Sequence, residues 1–286
     1  MRTLGEVLLL STRFLGDQGI PSPRLDAEVL VGHALGLPRL QVYLQHDRPL
    51  VEEELAAVRT LRQRRQAREP VAHIVGSREF YGRSFEVRPG LLVPRPDTET
   101  LVDVVLSLIP DDRTEPLYVA DVGCGTGCVG LTLAAERACV RVYAVDVVPE
   151  ALSCTGANAR RLGVKDRVAL LRGDCLAPVP PERPVDLVAS NPPYVPTGEI
   201  PGLAPEVSRW EDRLALDGGP EGLDVVRRLL AQASARVRLA AILEIGHDQG
   251  PAALALARGS GFAAASLHPD LAGKDRVLEA RVSVWT

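Results

Sequence analysis

The spacing of apolar residues predicts helices throughout the first 70 residues. Within residues 4–15, leucine, valine and phenylalanine recur every three or four positions, which gathers them on one face of a helix. Thr3 and Glu6 have the spacing of a capping box at the start of that helix. Similar patterns predict helices at residues 22–36, 39–45 and 51–70, and we expect the set to form a small helical bundle.

Apolar and polar residues then alternate through residues 71–95, around glycines at positions 76, 82 and 90. Alternation interrupted by glycine is typical of strands joined by turns, so we predict a β-hairpin connector here. A helix opened by Asp97 or Thr98 is predicted to follow, over residues 97–110.

From residue 117 the chain alternates between short apolar runs and helical patterns. Strands are predicted at residues 117–123, 141–147, 167–174, 185–192, 240–246 and 276–285, and helices at 128–137, 149–163 and 250–261. This alternation indicates an α/β fold with a largely parallel sheet covered on both faces. Ligands of such sheets bind at the carboxyl ends of the strands, where we expect Asp121, Gly123, Asp146, Asp174 and Asn191 to lie along one edge.

Composition narrows the class of protein. The 286 residues are 46% hydrophobic, enough for one large or two smaller folded domains. No stretch approaches the roughly 18 uninterrupted apolar residues of a membrane span, and the start lacks a signal-peptide cleavage site, so we expect a cytoplasmic protein. The net charge of −4 disfavours a general nucleic-acid binder, although it leaves room for a local basic face.

The cysteines are expected to be free thiols in a reducing compartment. No second cysteine pair or histidine cluster has the spacing of zinc ligands, so we expect no metal site. The five cysteines are Cys124, Cys128, Cys139, Cys154 and Cys175.

A glycine-rich segment, DVGCGTG at residues 121–127, lies between the first strand of the alternating region and the next helix. Its three glycines allow the backbone to turn sharply and to approach a ligand closely. The spacing differs from the dinucleotide pattern G-x-G-x-x-G, and no phosphate-loop pattern is present. The form with a leading aspartate is similar to the cofactor loop of Rossmann-like S-adenosylmethionine methyltransferases.

Two later strand ends fit the same cofactor. Asp146 ends the second strand, where a carboxylate can accept both ribose hydroxyls. Asp174 and Cys175 follow the third strand, beside the expected adenine position. Each feature alone is weak, because a glycine loop can be only a tight turn and an acidic strand end only a solvated cap. Their order on consecutive strands indicates a cofactor site.

The fourth strand ends in SNPPY, at residues 190–194. Prolines carry no backbone donor and fix their own φ, so this segment stops the strand and holds a rigid carbonyl. The motif is shared by methyltransferases of planar nitrogens, whose delocalised lone pair is poorly nucleophilic. Asn191 Oδ1 and the Pro192 carbonyl are predicted to accept hydrogen bonds from the two N–H groups of the target nitrogen. These bonds turn its lone pair toward the methyl donor. Pro193 stiffens the turn, and Tyr194 offers a ring face to the planar group.

Nearly the whole chain resembles the release-factor glutamine N5-methyltransferase family (HemK/PrmC). Residues 80–103 resemble the family's linker, with its F-x-G-x-x-F start and I-P-R-P-E-T-E core. Residues 206–230 resemble its V-x-x-[YF]-E-P-x-x-A-L-x-G-G-x-D-G-L pattern. The nitrogen motif does not distinguish protein from nucleic-acid substrates, so the assignment of substrate depends on these two segments.

The resemblance implies an N-terminal helical bundle for release-factor recognition at residues 1–72, a β-hairpin linker at 73–95 and a Rossmann-like methyltransferase domain at 96–286. The sheet of that domain would be mostly parallel with an antiparallel C-terminal strand. The reaction would move a methyl group from S-adenosylmethionine to the side-chain amide nitrogen (N5) of the glutamine in the Gly-Gly-Gln motif of peptide chain release factors. S-adenosylhomocysteine would be the product of the cofactor. We expect a monomer without direct nucleic-acid or membrane partners.

The same resemblance implies the residues of the site. Asn191, Pro192, Pro193 and Tyr194 would grip the glutamine side chain, and all of these except Pro193 would be catalytic. The cofactor would be held by Asp121, Gly123, Cys124, Gly125, Thr126, Gly127, Asp146, Asp174, Cys175 and Asn191.

The chain departs from the family pattern at a few positions. Asp212 stands where proline is usual, residues 220–221 are Pro-Glu, and Asp97 replaces glutamate. Cys175 stands where a larger residue often lies near the adenine, so we expect weaker stacking on the cofactor. The cysteine does not touch the transfer step, and none of these departures changes the assignment.

Two sets of charged residues are predicted to be structural. Arg95 and Glu211 favour a salt bridge over substrate contact. The arginines of one predicted helix favour a solvated face over contact with an acidic release-factor surface. These are Arg59, Arg62, Arg64, Arg65 and Arg68.

Two alternatives stay open. A DNA or RNA base N-methyltransferase would use the same grip on an exocyclic amine, but it must also capture an unstacked base and hold a phosphate backbone. The acidic net charge disfavours that function. A binding module without activity is disfavoured by the intact glycine loop and NPPY segment.

Overall fold

Residues 2–283 are described by the computed structural model, and they fall into two units. The first contains the residues up to Ser77 together with Ala204–Trp210, and the second contains Arg78–Leu203 and the residues from Glu211 onward. Within the described residues, no helix is long and apolar enough to cross a membrane.

Helices and strands alternate through most of the chain. The helices are α1 Leu4–Asp17, α2 Pro23–Leu35, α3 Arg39–Leu44, α4 Glu52–Gln66, α5 Val71–Val75, α6 Glu99–Ser107, α7 Cys128–Glu136, α8 Pro149–Arg161, α9 Pro205–Ser208, α10 Asp224–Ser234 and α11 Gly250–Gly259. The strands are β1 Ser77–Phe80, β2 Arg83–Glu86, β3 Leu117–Val122, β4 Val140–Asp146, β5 Val168–Arg172, β6 Val185–Ser190, β7 Val237–Glu244, β8 Ala264–Pro269 and β9 Asp275–Arg281.

The first unit is a helical bundle, as predicted. Its core consists of buried aliphatic side chains from α1, α2 and α4, including Leu4, Leu30 and Val58. The predicted capping box is present, because Thr3 Oγ1 accepts the Glu6 N–H and the Glu6 carboxylate accepts the Thr3 N–H.

The prediction of a solvated arginine face on α4 is wrong for Arg65. Its side chain is buried, with Nε 2.7 Å from the Asp26 carboxylate and an Nη 2.9 Å from Glu206. Arg68 also pairs with Glu206. A buried guanidinium needs such partners, and they come from α2 and α9, far away in sequence.

The predicted hairpin is present but shorter than residues 71–95. Val71–Val75 forms helix α5, which begins after Pro70 and ends at Gly76 in the left-handed conformation. A run of five residues is too short for periodicity to separate helix from strand. Strands β1 and β2 pair across Tyr81 and Gly82, which have φ of 51° and 68°, the positive values that a two-residue hairpin turn requires.

The second unit is built on a seven-stranded sheet in the order β5-β4-β3-β6-β7-β9-β8. The strands from β5 to β7 pair in parallel, whereas β9 is antiparallel to both of its neighbours. The predicted fold class is therefore confirmed. Strand β8 was not predicted, and of the predicted last strand, Val284 and Trp285 lie outside the described residues.

The strand order reverses direction at β3. The chain moves outward from β3 to β4 and β5, then returns to place β6 on the other side of β3. In sheets of this kind the crevice for ligands lies at the carboxyl ends of the strands, next to that reversal. Here those ends are the glycine loop after β3 and the NPPY segment after β6.

Helix α7 packs on the sheet through a close approach at Gly130. A Cβ atom built there would lie 2.8 Å from both Asp121 Oδ2 and Val142 Cγ1. Only a residue without a side chain fits this distance without displacing the strands below.

We predict that Gly130→Ala lowers the free energy of unfolding by about 1–3 kcal/mol, since overpacking displaces well-packed atoms. Thermal or denaturant unfolding of the purified protein measures this. Gly259→Ala is the matched control, because an added Cβ there meets no atom within 4 Å. Equal stability of the two variants would contradict the close approach.

Candidate active site

A cavity of 520 Å³ opens at the carboxyl ends of the strands of the second unit. It is bordered by the glycine loop after β3, by the residues after β4, β5 and β6, and by the segment that precedes α6. Among the predicted site residues, those that line it are Asp121, Gly123, Cys124, Gly125, Thr126, Asp146, Asp174, Cys175, Asn191, Pro192 and Pro193. Gly127 and Tyr194 are not among the lining residues.

The glycine loop joins β3 to α7 through left-handed backbone. Gly123, Gly125 and Gly127 have φ of 70°, 56° and 81°, values that residues with a side chain rarely adopt. The N–H of Gly123 donates to the Val145 carbonyl at 2.8 Å, which ties the loop to β4. Gly127 has a packing role, because an added Cβ would lie 2.8 Å from Leu131 and Thr155.

Helix α8 supports the loop from below. Asn158, which is fully buried, donates to the Thr126 carbonyl at 2.9 Å and exchanges hydrogen bonds with the backbone of Glu86. Thr155 Oγ1 donates to the Gly125 carbonyl at 3.0 Å. Sequence reasoning missed both residues, since the partners lie 30 or more positions away and no local pattern marks them.

Asp146 lies at the end of β4, beside the loop. Its Oδ2 accepts the Gly125 N–H and its Oδ1 accepts the Val148 N–H, each at 2.9 Å. Burial raises the pKa of this carboxyl, and the two backbone bonds oppose that rise. Each carboxylate oxygen still has a lone pair for a further donor such as a hydroxyl.

Asp121 borders the cavity but points into the packing between β3 and α7. Its Oδ2 accepts the Gly130 N–H at 2.9 Å. Burial raises the pKa of Asp121 from its ordinary value to about 7, with a smaller contribution from the charge of Asp146. The geometry gives Asp121 a structural contact that the sequence prediction did not contain.

Asp174 and Cys175 form the edge of the cavity after β5. The Asp174 carboxylate accepts an Arg228 guanidinium N–H at 2.9 Å. Cys175 is buried, with an unusual positive φ of 50°. Burial raises the pKa of its thiol to about 12, so the side chain remains a neutral thiol.

Asn191 follows β6 and lines the cavity together with both prolines. Its Nδ2 donates to Thr98 Oγ1 at 3.1 Å, which leaves Oδ1 as an acceptor. Thr98 precedes α6, so the contact joins segments that are 93 residues apart in sequence.

Tyr194 has its hydroxyl turned toward the protein. The hydroxyl donates to Glu244 Oε1 at 3.1 Å. Burial raises the pKa of this hydroxyl well above its usual value, so it remains protonated. Glu244 is the last residue of β7, and it was missed as a site residue although it lies within a predicted strand.

The predicted salt bridge between Arg95 and Glu211 is confirmed. One Nη of Arg95 lies 2.6 and 2.7 Å from the two oxygens of Glu211. Glu211 also accepts the Val93 N–H at 3.2 Å, and it is buried. The pair fixes the segment that borders the cavity before α6.

Two family models match the chain. Residues 6–76 match the PrmC N-terminal domain, and residues 99–203 match the methyltransferase small domain.

Curated relatives match over almost their whole length. A release factor glutamine methyltransferase of Moorella thermoacetica is 43% identical over 282 residues, covering 96% of each chain. One of Cereibacter sphaeroides is 42% identical and covers 94% of each. The chain belongs to the release factor glutamine methyltransferase family. This membership confirms the predicted family and the enzyme class, a methyltransferase.

Solved structures agree with the fold. The hMettl16 catalytic domain, in complex with a hairpin of the MAT2A 3′UTR, has a TM-score of 0.58 and covers 77% of this chain and 82% of its own. At 17% identity the likeness concerns the fold alone.

We predict that Asp121→Asn gains stability relative to the wild type as the pH rises. An unfolded aspartate titrates near ~4, whereas Asp121 titrates at about 7 when folded. The stability that protonated Asp121 contributes is therefore complete below the unfolded pKa and is lost as the pH rises toward 7. The neutral amide avoids this loss.

Melting temperatures of both proteins without cofactor, at pH 5 and pH 8, measure this difference. We expect the melting temperature of the variant minus that of the wild type to be larger at pH 8. An equal or smaller difference at pH 8 would contradict the raised pKa.

Proposed function

We propose that the protein transfers a methyl group from S-adenosylmethionine to the side-chain amide nitrogen (N5) of the glutamine in the Gly-Gly-Gln motif of peptide chain release factors. The observation that carries the proposal is the position of Asn191 and Pro192 on the wall of the same cavity as the glycine loop. The names of the curated relatives support the substrate.

The residues present fit the cofactor. The cavity of 520 Å³ falls within the roughly 300–1,000 Å³ of small-molecule sites. Backbone of Gly123–Gly125 would approach it closely, Asp146 would accept ribose hydroxyls, and Cys175 would lie near the adenine. When bound, S-adenosylmethionine supplies an electrophilic methyl group on a sulfonium.

The side chains that face the substrate act mainly by orientation. Asn191 Oδ1 and the Pro192 carbonyl would each accept one N–H of the glutamine amide, which turns the nitrogen lone pair outward from the plane of those bonds. A neutral amide is too weak an acid for a side chain to deprotonate near pH 7, so alignment replaces base catalysis. Tyr194 does not line the cavity itself, and its hydroxyl is held by Glu244. Its ring would meet the planar amide where the substrate reaches past Asn191 and Pro192.

The remaining roles follow from the same proposal. Residues 1–72 would recognise the release factor, and residues 96–286 would carry out the methyl transfer. Residues 73–95 would link these two domains. We expect a cytoplasmic monomer, since release factors act in translation there.

We predict that the purified protein labels a bacterial release factor with methyl from S-adenosylmethionine. The same factor with its Gly-Gly-Gln glutamine replaced by alanine should remain unlabelled, because the accepting nitrogen is missing. Tryptic mass spectrometry locates the added methyl. Equal labelling of both factors, or labelling of RNA or DNA instead, would refute the substrate.

We predict that Asn191→Ala lowers kcat by about a hundredfold, the scale seen when one preorganised hydrogen-bonding group of an active site is removed. The affinity for S-adenosylhomocysteine, measured by calorimetry, should change little and also reports that the variant is folded. A kcat near that of the wild type would remove the proposed role of the Asn191 amide.

A further inference from the structure

A buried polar cluster lies directly behind Asn191. Glu244 ends β7, the neighbour of β6 whose end carries Asn191, and only 1% of its surface is exposed. Its Oε1 accepts the Tyr194 hydroxyl, but its Oε2 has no hydrogen-bond partner within residues 2–283. Leaving a buried carboxylate oxygen without a hydrogen-bond donor costs free energy, so we expect a donor close to Oε2.

The hydroxyl of Thr98 is a candidate hydrogen-bond donor. It is buried, with 2% of its surface exposed, and its Oγ1 already accepts a bond from Asn191 Nδ2. A hydroxyl can donate one hydrogen bond in addition to those it accepts, so Thr98 can still donate to a second group. The pairing of β6 with β7 places Ser190 opposite Leu243, so the next residues, Asn191 and Glu244, lie side by side at the edge of the sheet. Thr98, which is bonded to Asn191, is therefore held on the side of the unpaired Oε2.

We propose that Thr98 and Glu244 are positioning residues that fix the direction of the Asn191 amide. In this arrangement Glu244 Oε2 accepts a hydrogen bond from the Thr98 hydroxyl, Thr98 Oγ1 accepts one from Asn191 Nδ2, and Asn191 Oδ1 is left to accept one from the substrate. The inference rests on the proposed function, because it concerns the acceptor that grips the glutamine amide.

The direction of these hydrogen bonds follows from the Asn191 end. The amide nitrogen only donates, so Thr98 Oγ1 accepts from it and the Thr98 hydroxyl keeps its own hydrogen for Glu244 Oε2. If the Asn191 amide flipped, its NH2 would face the NH2 of the glutamine, and two donors would oppose each other.

The same carboxylate serves both parts of the NPPY grip. Oε1 accepts the Tyr194 hydroxyl, and in the proposed arrangement Oε2 acts on the Asn191 amide through Thr98, which accepts its Nδ2–H. One buried group thus links the acceptor to the aromatic residue.

The test compares Thr98→Val, which keeps the shape and loses the hydroxyl, with Thr98→Ser, which keeps the hydroxyl. We expect Thr98→Val to lower kcat for the release factor by about tenfold or more with little change in KM, since an interaction used in the transition state is lost. Thr98→Ser should stay close to the wild type. The affinity for S-adenosylhomocysteine should be the same in both variants.

Thr132→Val is the matched control. Thr132 is also fully buried and belongs to α7, and its hydroxyl has no partner within the described residues. Its replacement should leave kcat unchanged, which separates the position of Thr98 from the general effect of removing a buried hydroxyl.

Glu244→Gln gives a second, independent measurement. A glutamine amide can donate to Thr98 and so permit the flipped Asn191, so kcat should fall. Both changes interrupt the same series of hydrogen bonds. The fold-loss of kcat in the double variant, Thr98→Val with Glu244→Gln, should therefore be smaller than the product of the two single losses.

The outcomes separate the two claims. A wild-type protein that fails to methylate the release factor would overturn the proposed function. An active wild type with a Thr98→Val variant of equal kcat, or with equal losses in Thr98→Val and Thr98→Ser, would overturn the positioning role.

Discussion

The parallel pairing of β3 with β4 on one side and β6 on the other is the constraint on which the site depends. In register, Val122 lies opposite Val145 in β4 and Ser190 in β6. The glycine loop, Asp146 and Asn191 therefore begin at the same level of the sheet edge. A slip of β6 against β3 would separate the nitrogen-binding residues from the cofactor loop.

Burial of polar groups around this edge makes the site rigid. Asp121, Asp146, Glu211 and Glu244 are all buried carboxyls, and burial raises the pKa of each. Each receives at least one hydrogen bond or charged partner, most of them from backbone N–H groups or an arginine. Such groups tolerate little displacement, since a broken bond leaves a charge or acceptor in a medium of low polarity. The site is thus preorganised before any ligand enters.

The sequence was sufficient where the signal was local. Strand and helix periodicity predicted the parallel sheet, and the glycine spacing predicted a sharply turning loop, where Gly123, Gly125 and Gly127 are left-handed. The salt bridge of Arg95 with Glu211 was also predicted and is present. Short or weakly patterned segments were missed: α5 is only five residues long, and α10 and β8 were not assigned.

Contacts between distant residues were beyond the reach of sequence patterns. Nothing local marks Arg65 as buried against Asp26 and Glu206, or Asn158 as the support of the loop. Thr98 and Glu244 stand inside recognisable segments, yet their relation to Asn191 depends on how β6, β7 and α6 pack. The roles of the individual site residues, and the division into recognition, linker and transfer segments, stay predictions.

A crystal structure of the protein with S-adenosylhomocysteine and a peptide containing Gly-Gly-Gln tests the central claim most directly. The account predicts the glutamine amide nitrogen within hydrogen-bond distance of both Asn191 Oδ1 and the Pro192 carbonyl. A glutamine side chain bound away from these two acceptors would contradict it.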